Sequence, residues 1–273
     1  MRARIFADCV FAVLLATSMA GVAAADVTRG PFDARFSLSV GGFFTDHDTS
    51  IRLDTTAGPG TFISLEDDLG LDSTTQILRI DGFWHFAARH RAHFATFDLS
   101  QQGIRTLDKD ILIDGELFSV GETVATDWDL ILYEIGYSYL LVGRPRFQWW
   151  FNVAAFIQDT SITVAETVTG GDFSTEDVVL PLPKLGTIVE YAFTNRWIGR
   201  AGVDIFKLEI GDVGGSLLDF RMTLDYRFTD RFSLGVGWHW IDIEVDLDKS
   251  VSGWRGRLDW ETHGLMFYGS LDW

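Results

Sequence analysis

The chain has 273 residues, of which 22 are basic and 39 are acidic, so its formal net charge is −17 and its sequence pI is about 4.6. An acidic excess of this size argues against nucleic acid as a partner. The only cysteine is Cys9. Once the segment that contains it is removed, disulfides, thiolate metal sites and cysteine nucleophiles are excluded.

The first 25 residues are predicted to be a cleavable secretory signal peptide. Arg2 and Arg4 give a positive start, Val10–Ala16 is apolar, and Ala23–Ala25 supplies a small-residue cleavage site. The apolar stretch is shorter than the ~20 residues that a helical membrane span needs. The mature chain is therefore expected to be residues 26–273, with 20 basic and 38 acidic residues and a net charge of −18.

The rest of the chain alternates between apolar and polar residues, a pattern that predicts β-strands because successive strand residues face opposite sides of a sheet. The alternation is clearest from Phe220 to Phe228. Aromatic residues make up 14% of the chain and ten residues are tryptophan. A membrane barrel can expose that apolar surface to lipid. The ten predicted strands are residues 34–50, 74–87, 91–108, 123–141, 147–165, 178–193, 197–211, 217–228, 231–246 and 255–273.

The connections between these strands alternate between short and long. Short turns face the periplasm and long loops face the exterior in transmembrane barrels, which predicts the orientation. Eight or twelve strands remain alternatives, because Thr61–Leu65 is also strand-like. The short, arginine-bearing turns are Arg89–Arg91, Gly143–Arg146, Thr194–Arg196 and Thr229–Arg231. The long, acidic or glycine-rich loops are Ile51–Ser73, Lys109–Glu122, Glu166–Asp177, Asp212–Ser216 and Leu247–Trp254.

The last strand ends in alternating apolar residues that resemble the C-terminal insertion signal of outer-membrane barrels, although phenylalanine is the usual last residue. Four charged residues earlier in the strand share its odd positions, so we expect the two faces to swap near His263–Gly264, where glycine permits a bulge. The predicted insertion signal consists of Leu265, Phe267, Leu271 and Trp273. The four charged residues are Arg255, Arg257, Asp259 and Glu261.

Together these features predict an all-β fold, an antiparallel transmembrane β-barrel in the outer membrane of a Gram-negative bacterium, and a monomer. Three segments resemble an uncharacterised, porin-like family of proteobacterial outer-membrane barrels: Leu65–Leu71, Leu180–Gly186 and Gly215–Asp219. The resemblance implies the fold and the location. It brings no substrate, catalytic residue or cofactor.

The inward faces of the predicted strands carry charges of both signs. Isolated charges in a poorly hydrated interior are costly, so ion pairs are expected to fill much of a ten-stranded lumen. We expect a largely plugged envelope barrel that allows limited passage of small polar solutes. The predicted lumen network is Arg79, Asp81, Glu134, Glu190, Arg200, Asp204, Arg221, Asp225, Arg227, Arg255, Arg257, Asp259 and Glu261.

Two alternative functions remain open: recognition or adhesion through the acidic loops, and surface hydrolysis. Asp46–Asp48, with Asp242 and Glu244 on the same rim, offers a histidine between carboxylates that could activate water. The sequence contains no histidine-x-serine pattern or convincing triad, so no catalytic residue is assigned. The acidic runs do not match a calcium loop. Metal and cofactor are therefore both predicted to be absent, and the expected partners are membrane lipid, lipopolysaccharide and the barrel-insertion machinery.

Overall fold

Ten long strands dominate the computed structural model, which describes residues 27–54, 58–113, 116–167, 172–174, 178–210, 213–247 and 255–273. The predicted signal peptide lies outside the described residues. None of the described residues forms a helix long and apolar enough to cross a membrane. The long strands are β1 (Phe36–Leu53), β3 (Thr74–Ala87), β4 (His90–Thr106), β7 (Thr123–Arg144), β8 (Phe147–Glu166), β10 (Val178–Ala192), β11 (Trp197–Ile210), β12 (Val213–Arg227), β13 (Phe232–Leu247) and β14 (Gly256–Asp272). The short ones are β2 (Ile63–Ser64), β5 (Ile111–Ile113), β6 (Glu116–Phe118) and β9 (Asp172–Ser174).

The ten long strands close into one antiparallel barrel. Each pairs with the next long strand in the chain, and β14 pairs with β1 from Ser37–Asp272 to Leu53–Gly256. Closure gives every long strand a partner on each side and leaves the ring without an end strand, as a membrane barrel requires. The prediction of ten strands is confirmed. The strand-like piece in the first loop is β2, which pairs with the end of β1 and does not join the barrel ring.

The outer wall carries a continuous apolar band that begins at the short turns. On β1 the band runs from Phe36 to Phe44 and ends at Asp46. The ten steps from Phe36 to Asp46, at a rise of about 3.3 Å per residue and a tilt of about 40°, span roughly 25 Å, the height of a lipid-facing band. On five strands the first outward acidic residue at the loop end of the band is an aspartate: Asp46, Asp98, Asp129, Asp159 and Asp242.

The interior reverses its chemistry where this band ends. Beside the band, inward charges alternate with outward apolar residues, as Glu134 does between Tyr133 and Ile135. Beyond the band, inward apolar residues alternate with outward acids, as Trp128 does between Asp127 and Asp129. The barrel therefore continues past the membrane as a water-soluble barrel with an apolar core.

Two loops fold inward and complete that core at the long-loop end. The β1–β3 loop buries Leu65 and Leu69, and the β4–β7 loop buries Ile111 and Phe118 against the inward faces of the strands. Lys109 in the second loop binds Asp68 in the first at 2.7 Å, which joins the two loops. Within the described residues, these loops form an apolar plug over the lumen.

The expected face swap in β14 is corrected by the structure. Its register with β1 and β13 is continuous through residues 263 and 264, so there is no bulge. The odd positions face outward along the whole strand, while Trp260 and Thr262 on the even face are buried. The outer face changes from ionic to apolar because its surroundings change from water to lipid.

The topology makes a labelling prediction. We expect a short epitope tag after Gly58, in the first long loop, to be labelled by antibody on intact cells. A tag at Asn195, in the β10–β11 turn, should be labelled only after the outer membrane is permeabilised, because short turns face the periplasm. Labelling with the opposite pattern would reverse the barrel's orientation.

Candidate functional site

A polar chamber of about 150 Å³ lies inside the barrel at the level of the apolar band. Its wall consists of arginines and carboxylates from β3, β4, β7, β10 to β12 and β14, together with serines from β1, β13 and β14. These charges are inward because their strand neighbours face lipid. The charged residues lining the chamber are Arg79, Asp81, Arg91, Glu134, Glu190, Arg200, Asp204, Asp219, Arg221, Asp225 and Asp272.

Lys184 is the centre of the most buried group of charges. Its Nζ lies 2.5 Å from Asp219, 3.3 Å from Glu134 and 3.4 Å from Asp204. The same Nζ lies 3.8 Å from the centre of the Phe156 ring, a cation–π contact. One buried ammonium therefore holds three carboxylates from three other strands.

Two histidines extend this group around the wall. His239 Nε2 lies 2.7 Å from Asp219, and its Nδ1 lies 3.3 Å from an Arg79 nitrogen. His93 Nε2 lies 3.3 Å from Glu134. Each carboxylate that contacts Lys184 thus has a further polar partner, because Asn152 also donates to Asp204 at 2.8 Å.

A second set of ion pairs lies nearer the short turns. Arg91 donates to Glu190 at 2.7 Å and lies over the Trp150 ring. Arg200 pairs with Asp225, which also accepts a hydrogen bond from the Tyr268 hydroxyl at 2.9 Å. These ion pairs join neighbouring strands across the interior and occupy space that a hydrated channel would need.

The structure places most of the predicted lumen network in the interior. The side chains that point inward are Arg79, Asp81, Glu134, Glu190, Arg200, Asp204, Arg221, Asp225 and Arg227. The other four do not join it: Arg257, Asp259 and Glu261 face outward on β14, and Arg255 precedes that strand at the loop end. Arg257 there contacts Glu244 at 2.5 Å and Asp259 at 3.0 Å.

The predicted network omits six residues that the structure puts at its centre. Strand alternation is the signal that could have found them, because alternate residues of one strand face the same side. Asp219, for example, is two residues from Arg221 on β12. The six are Arg91, His93, Asn152, Lys184, Asp219 and His239.

In the part of the chain that the structure describes, Asp46, His47 and Asp48 do not form the acid–base site that the hydrolase hypothesis needs. Asp46 and Asp48 face outward, whereas His47 points into the barrel and hydrogen-bonds Thr45 at 2.7 Å. Strand alternation therefore separates the carboxylates from the imidazole. Within the described residues no group of three or more histidines, cysteines and carboxylates is arranged to hold a metal ion.

The predicted insertion signal faces lipid. Leu265 and Phe267 are half-exposed on the outer wall, and Trp273 packs against Phe36 with ring centres 5.4 Å apart. Leu271 shares their parity. Recognition of these residues by the insertion machinery stays a prediction.

Residues 27–35 cross the short-turn mouth of the barrel as a strap. Asp230 accepts hydrogen bonds from the Thr28 amide at 2.9 Å, the Thr28 hydroxyl at 2.6 Å and the Arg29 amide at 2.9 Å. Pro31 and Phe32 lie beneath the chamber floor. The strap covers the end of the chamber that faces away from the apolar plug.

The hydrogen bonds of the strap favour the ionised form of Asp230. Hydrogen bonding by Thr28, with help from the Arg29 amide, holds the pKa of the Asp230 carboxyl below its ordinary value. A depressed carboxyl pKa contributes stability above the unfolded-state pKa, and the contribution is lost only as pH falls through the folded-state value. The strap is therefore expected to stay anchored throughout the neutral and mildly acidic range.

Release of the strap should expose the chamber. Cys9 is expected to leave with the signal peptide, so Ser39→Cys would place a single reporter thiol on the chamber wall. We expect Asp230→Ala to raise its reaction rate with a small water-soluble thiol reagent by about tenfold, because local opening then costs less. Ser100→Cys, on the outer face of β4, should react at the same rate in both backgrounds. An unchanged Ser39→Cys rate would show that the strap does not limit access.

Comparison with known proteins supports the fold. No family model matches the sequence, and no curated protein matches it. Among solved structures, 48 chains match. The outer membrane protease OmpT from Escherichia coli has a TM-score of 0.55 and 10% identity, over 93% of this chain and 100% of that one. The translocator domain of the autotransporter NalP from Neisseria meningitidis has a TM-score of 0.39 and 8% identity, over 97% and 95%.

At this identity the likeness to OmpT shows the fold alone. The structure itself adds the closed ring of strands and an outer apolar band of membrane height. A closed antiparallel barrel with that band is the β-architecture that satisfies its backbone within lipid. The protein is a ten-stranded β-barrel of the outer membrane.

Proposed function

We propose that the protein is a closed envelope barrel whose polar chamber is reached from the periplasm, and that it is not a general diffusion pore. The observation that carries the proposal is the stacking of two barriers in one lumen. At the level of the membrane the interior is held together by ion pairs, and beyond the membrane, on the long-loop side, the interior is packed with apolar side chains. Limited passage of small polar solutes would require both barriers to open.

Each barrier opposes permeation for a different reason. The apolar plug, which includes Leu65, Leu69 and Trp260, excludes water because an apolar interior offers it no hydrogen-bond partners. The charged layer around Lys184 resists opening, because separating its members would leave buried charges without partners. Solutes that enter the chamber are therefore expected to leave on the side from which they came.

Planar-bilayer recording tests this proposal. We expect the purified protein to insert without porin-sized conductance steps, because the ion-paired layer and the apolar plug formed by the described residues both obstruct the lumen. A trimeric porin recorded in the same bilayer provides the positive control. Large, stable conductance steps from the unmodified protein would refute a closed barrel.

Recognition at the cell surface is a second candidate, and exposed apolar residues beyond the membrane favour it. Phe62, Leu117 and Val120 are each about half-exposed in the long loops, where the surroundings are water. Acidic residues such as Asp108 and Asp110 lie in the same loops. Binding of a soluble host or phage component to intact cells, lost in Leu117→Ser, would support this role; equal binding to cells without the protein would exclude it.

The proposed partners follow from the location. Outer-wall acids beyond the apolar band are suited to meet cation-bridged lipopolysaccharide, and the C-terminal strand is suited to meet the insertion machinery. We propose that the protein acts as a monomer, since a single chain closes the ring of strands.

A further inference from the structure

An apolar groove of about 500 Å³ is open on the outer wall in the short-turn half of the barrel. Gly199 and Ala201 on β11 form its floor. Phe193 borders one side, and Met222 and Trp238 lie on the other. The groove exists because β11 carries small outward residues where the neighbouring strands carry large ones: a Cβ on Gly199 would come within 2.9 Å of the Phe193 ring.

The groove lies within the band that faces lipid, so its occupant must be apolar. Leu224, Val236 and Leu265 along the groove are outward members of that band. Hydrocarbon must fill the space, because an unfilled groove forfeits the dispersion contacts of its lining. The hydrocarbon that surrounds this wall is the acyl chain of a membrane lipid.

Charge at the end of the groove indicates the headgroup. The β10–β11 turn carries Arg196 and the β12–β13 turn carries Arg231. The Arg196 Nη1 donates to the backbone oxygens of Arg227 and Phe228, which fixes its guanidinium at the end of β12. Asp230 is the only acidic residue in these two turns, and it is engaged by the strap.

Aromatic residues mark the depth of this junction. Trp197 and Tyr226 contact each other edge to face, with ring centres 4.9 Å apart, beside the same two turns. Tryptophan and tyrosine collect at the boundary between hydrocarbon and headgroups. The arginines are therefore at headgroup depth while the groove is at acyl-chain depth.

We propose that this surface binds one phospholipid with an anionic headgroup, with an acyl chain in the groove and the phosphate on the exposed Arg231. The guanidinium group suits phosphate because it offers planar, paired donors. In the predicted orientation the short turns contact the periplasmic leaflet, which consists of phospholipid. The proposal rests on the outer wall and on this predicted orientation, and it is independent of whether the lumen conducts.

Lipid titration of the delipidated protein in mild detergent tests the site. Phosphatidylglycerol and phosphatidylcholine with identical acyl chains are added separately, and bound lipid is counted by native mass spectrometry. We expect phosphatidylglycerol to bind more tightly, by about fivefold, the contribution of one arginine at the membrane surface. Arg231→Gln should remove about fivefold of that preference, whereas Arg144→Gln, at the short-turn end of β7, should leave it unchanged.

The groove is tested by filling it. Ala201→Trp should abolish retention of both lipids, while Ala92→Trp, at an outward position of β4 away from the groove, should not. Equal affinity for the two lipids would overturn the proposal. So would retained binding in Ala201→Trp, or equal losses in Arg231→Gln and Arg144→Gln, which would indicate only a diffuse positive surface.

Discussion

Lys184→Met is expected to destabilise the barrel by about 3–5 kcal/mol, because it leaves buried carboxylates without their shared cation. Asp219, Glu134 and Asp204 all lie within 3.4 Å of the Lys184 Nζ, and their burial denies them compensation by water. Urea unfolding of the mature protein in lipid vesicles measures the change. The loss should shrink in acid, since protonating the carboxylates removes the repulsion.

A matched substitution separates this effect from the loss of any lysine. Lys109 also forms an ion pair, with Asp68 at 2.7 Å, but its side chain is about half-exposed. Lys109→Met should therefore cost no more than about 1 kcal/mol. Adding Asp219→Asn and Glu134→Gln to Lys184→Met should recover part of the stability. Equal costs for the two lysines would show that Lys184 is not an essential counter-ion.

Opening the lumen is expected to require changes in both the apolar plug and the charged layer. The conductance of the combined variant should therefore exceed the sum of the two single effects by a large factor. Leu65→Asp with Leu69→Asp should expel the first loop from the apolar plug, because unpaired carboxylates are not tolerated in an apolar core. Arg221→Ala should loosen the charged layer by removing one of the arginines that hold Asp81. We expect each change alone to leave conductance near the background of the unmodified protein.

In the Asp230→Ala background, which releases the strap from the short-turn mouth, the combined variant should show discrete conductance steps at least about tenfold above background, since all barriers in series must be lowered. Leu117→Asp provides the control, because Leu117 is already largely exposed in a loop. Barrel formation in each variant is checked by its resistance to unfolding in unheated detergent. If Arg221→Ala alone opened a path, the apolar plug would not be a barrier.

The sequence was sufficient to predict the wall of the barrel. The predicted limits 74–87 are those of β3, and the other long strands lie within a few residues of their predicted limits. The agreement has a physical cause: a two-residue period and arginine-bearing turns are local signals. Inward charges such as Arg79 and Asp225 followed from the same period, because outside the wall at that depth there is only lipid.

The prediction for the part of the barrel beyond the membrane was wrong, because apolar residues were assumed to face outward along the whole length of every strand. Taking apolar residues as outward put the charges of β14 in the lumen, although the solvent outside that region is water. A local signal was available: apolar residues flanked on both sides by acids, as at Trp128, Ile243 and Trp260, mark the wall beyond the band. The Lys184 group was harder to predict, because it joins residues from four strands that only the closed ring brings together.

The reversal of the wall means that the two halves of one barrel respond to different physical conditions. The apolar core beyond the membrane draws its stability from expelling water, so unfolding it carries a positive heat-capacity change and cooling weakens it. The half within the membrane is held by its match to the hydrocarbon thickness of the bilayer, and a thinner or thicker membrane strains it. Cold exposure should loosen the surface half first, whereas a change in lipid chain length should act on the embedded half.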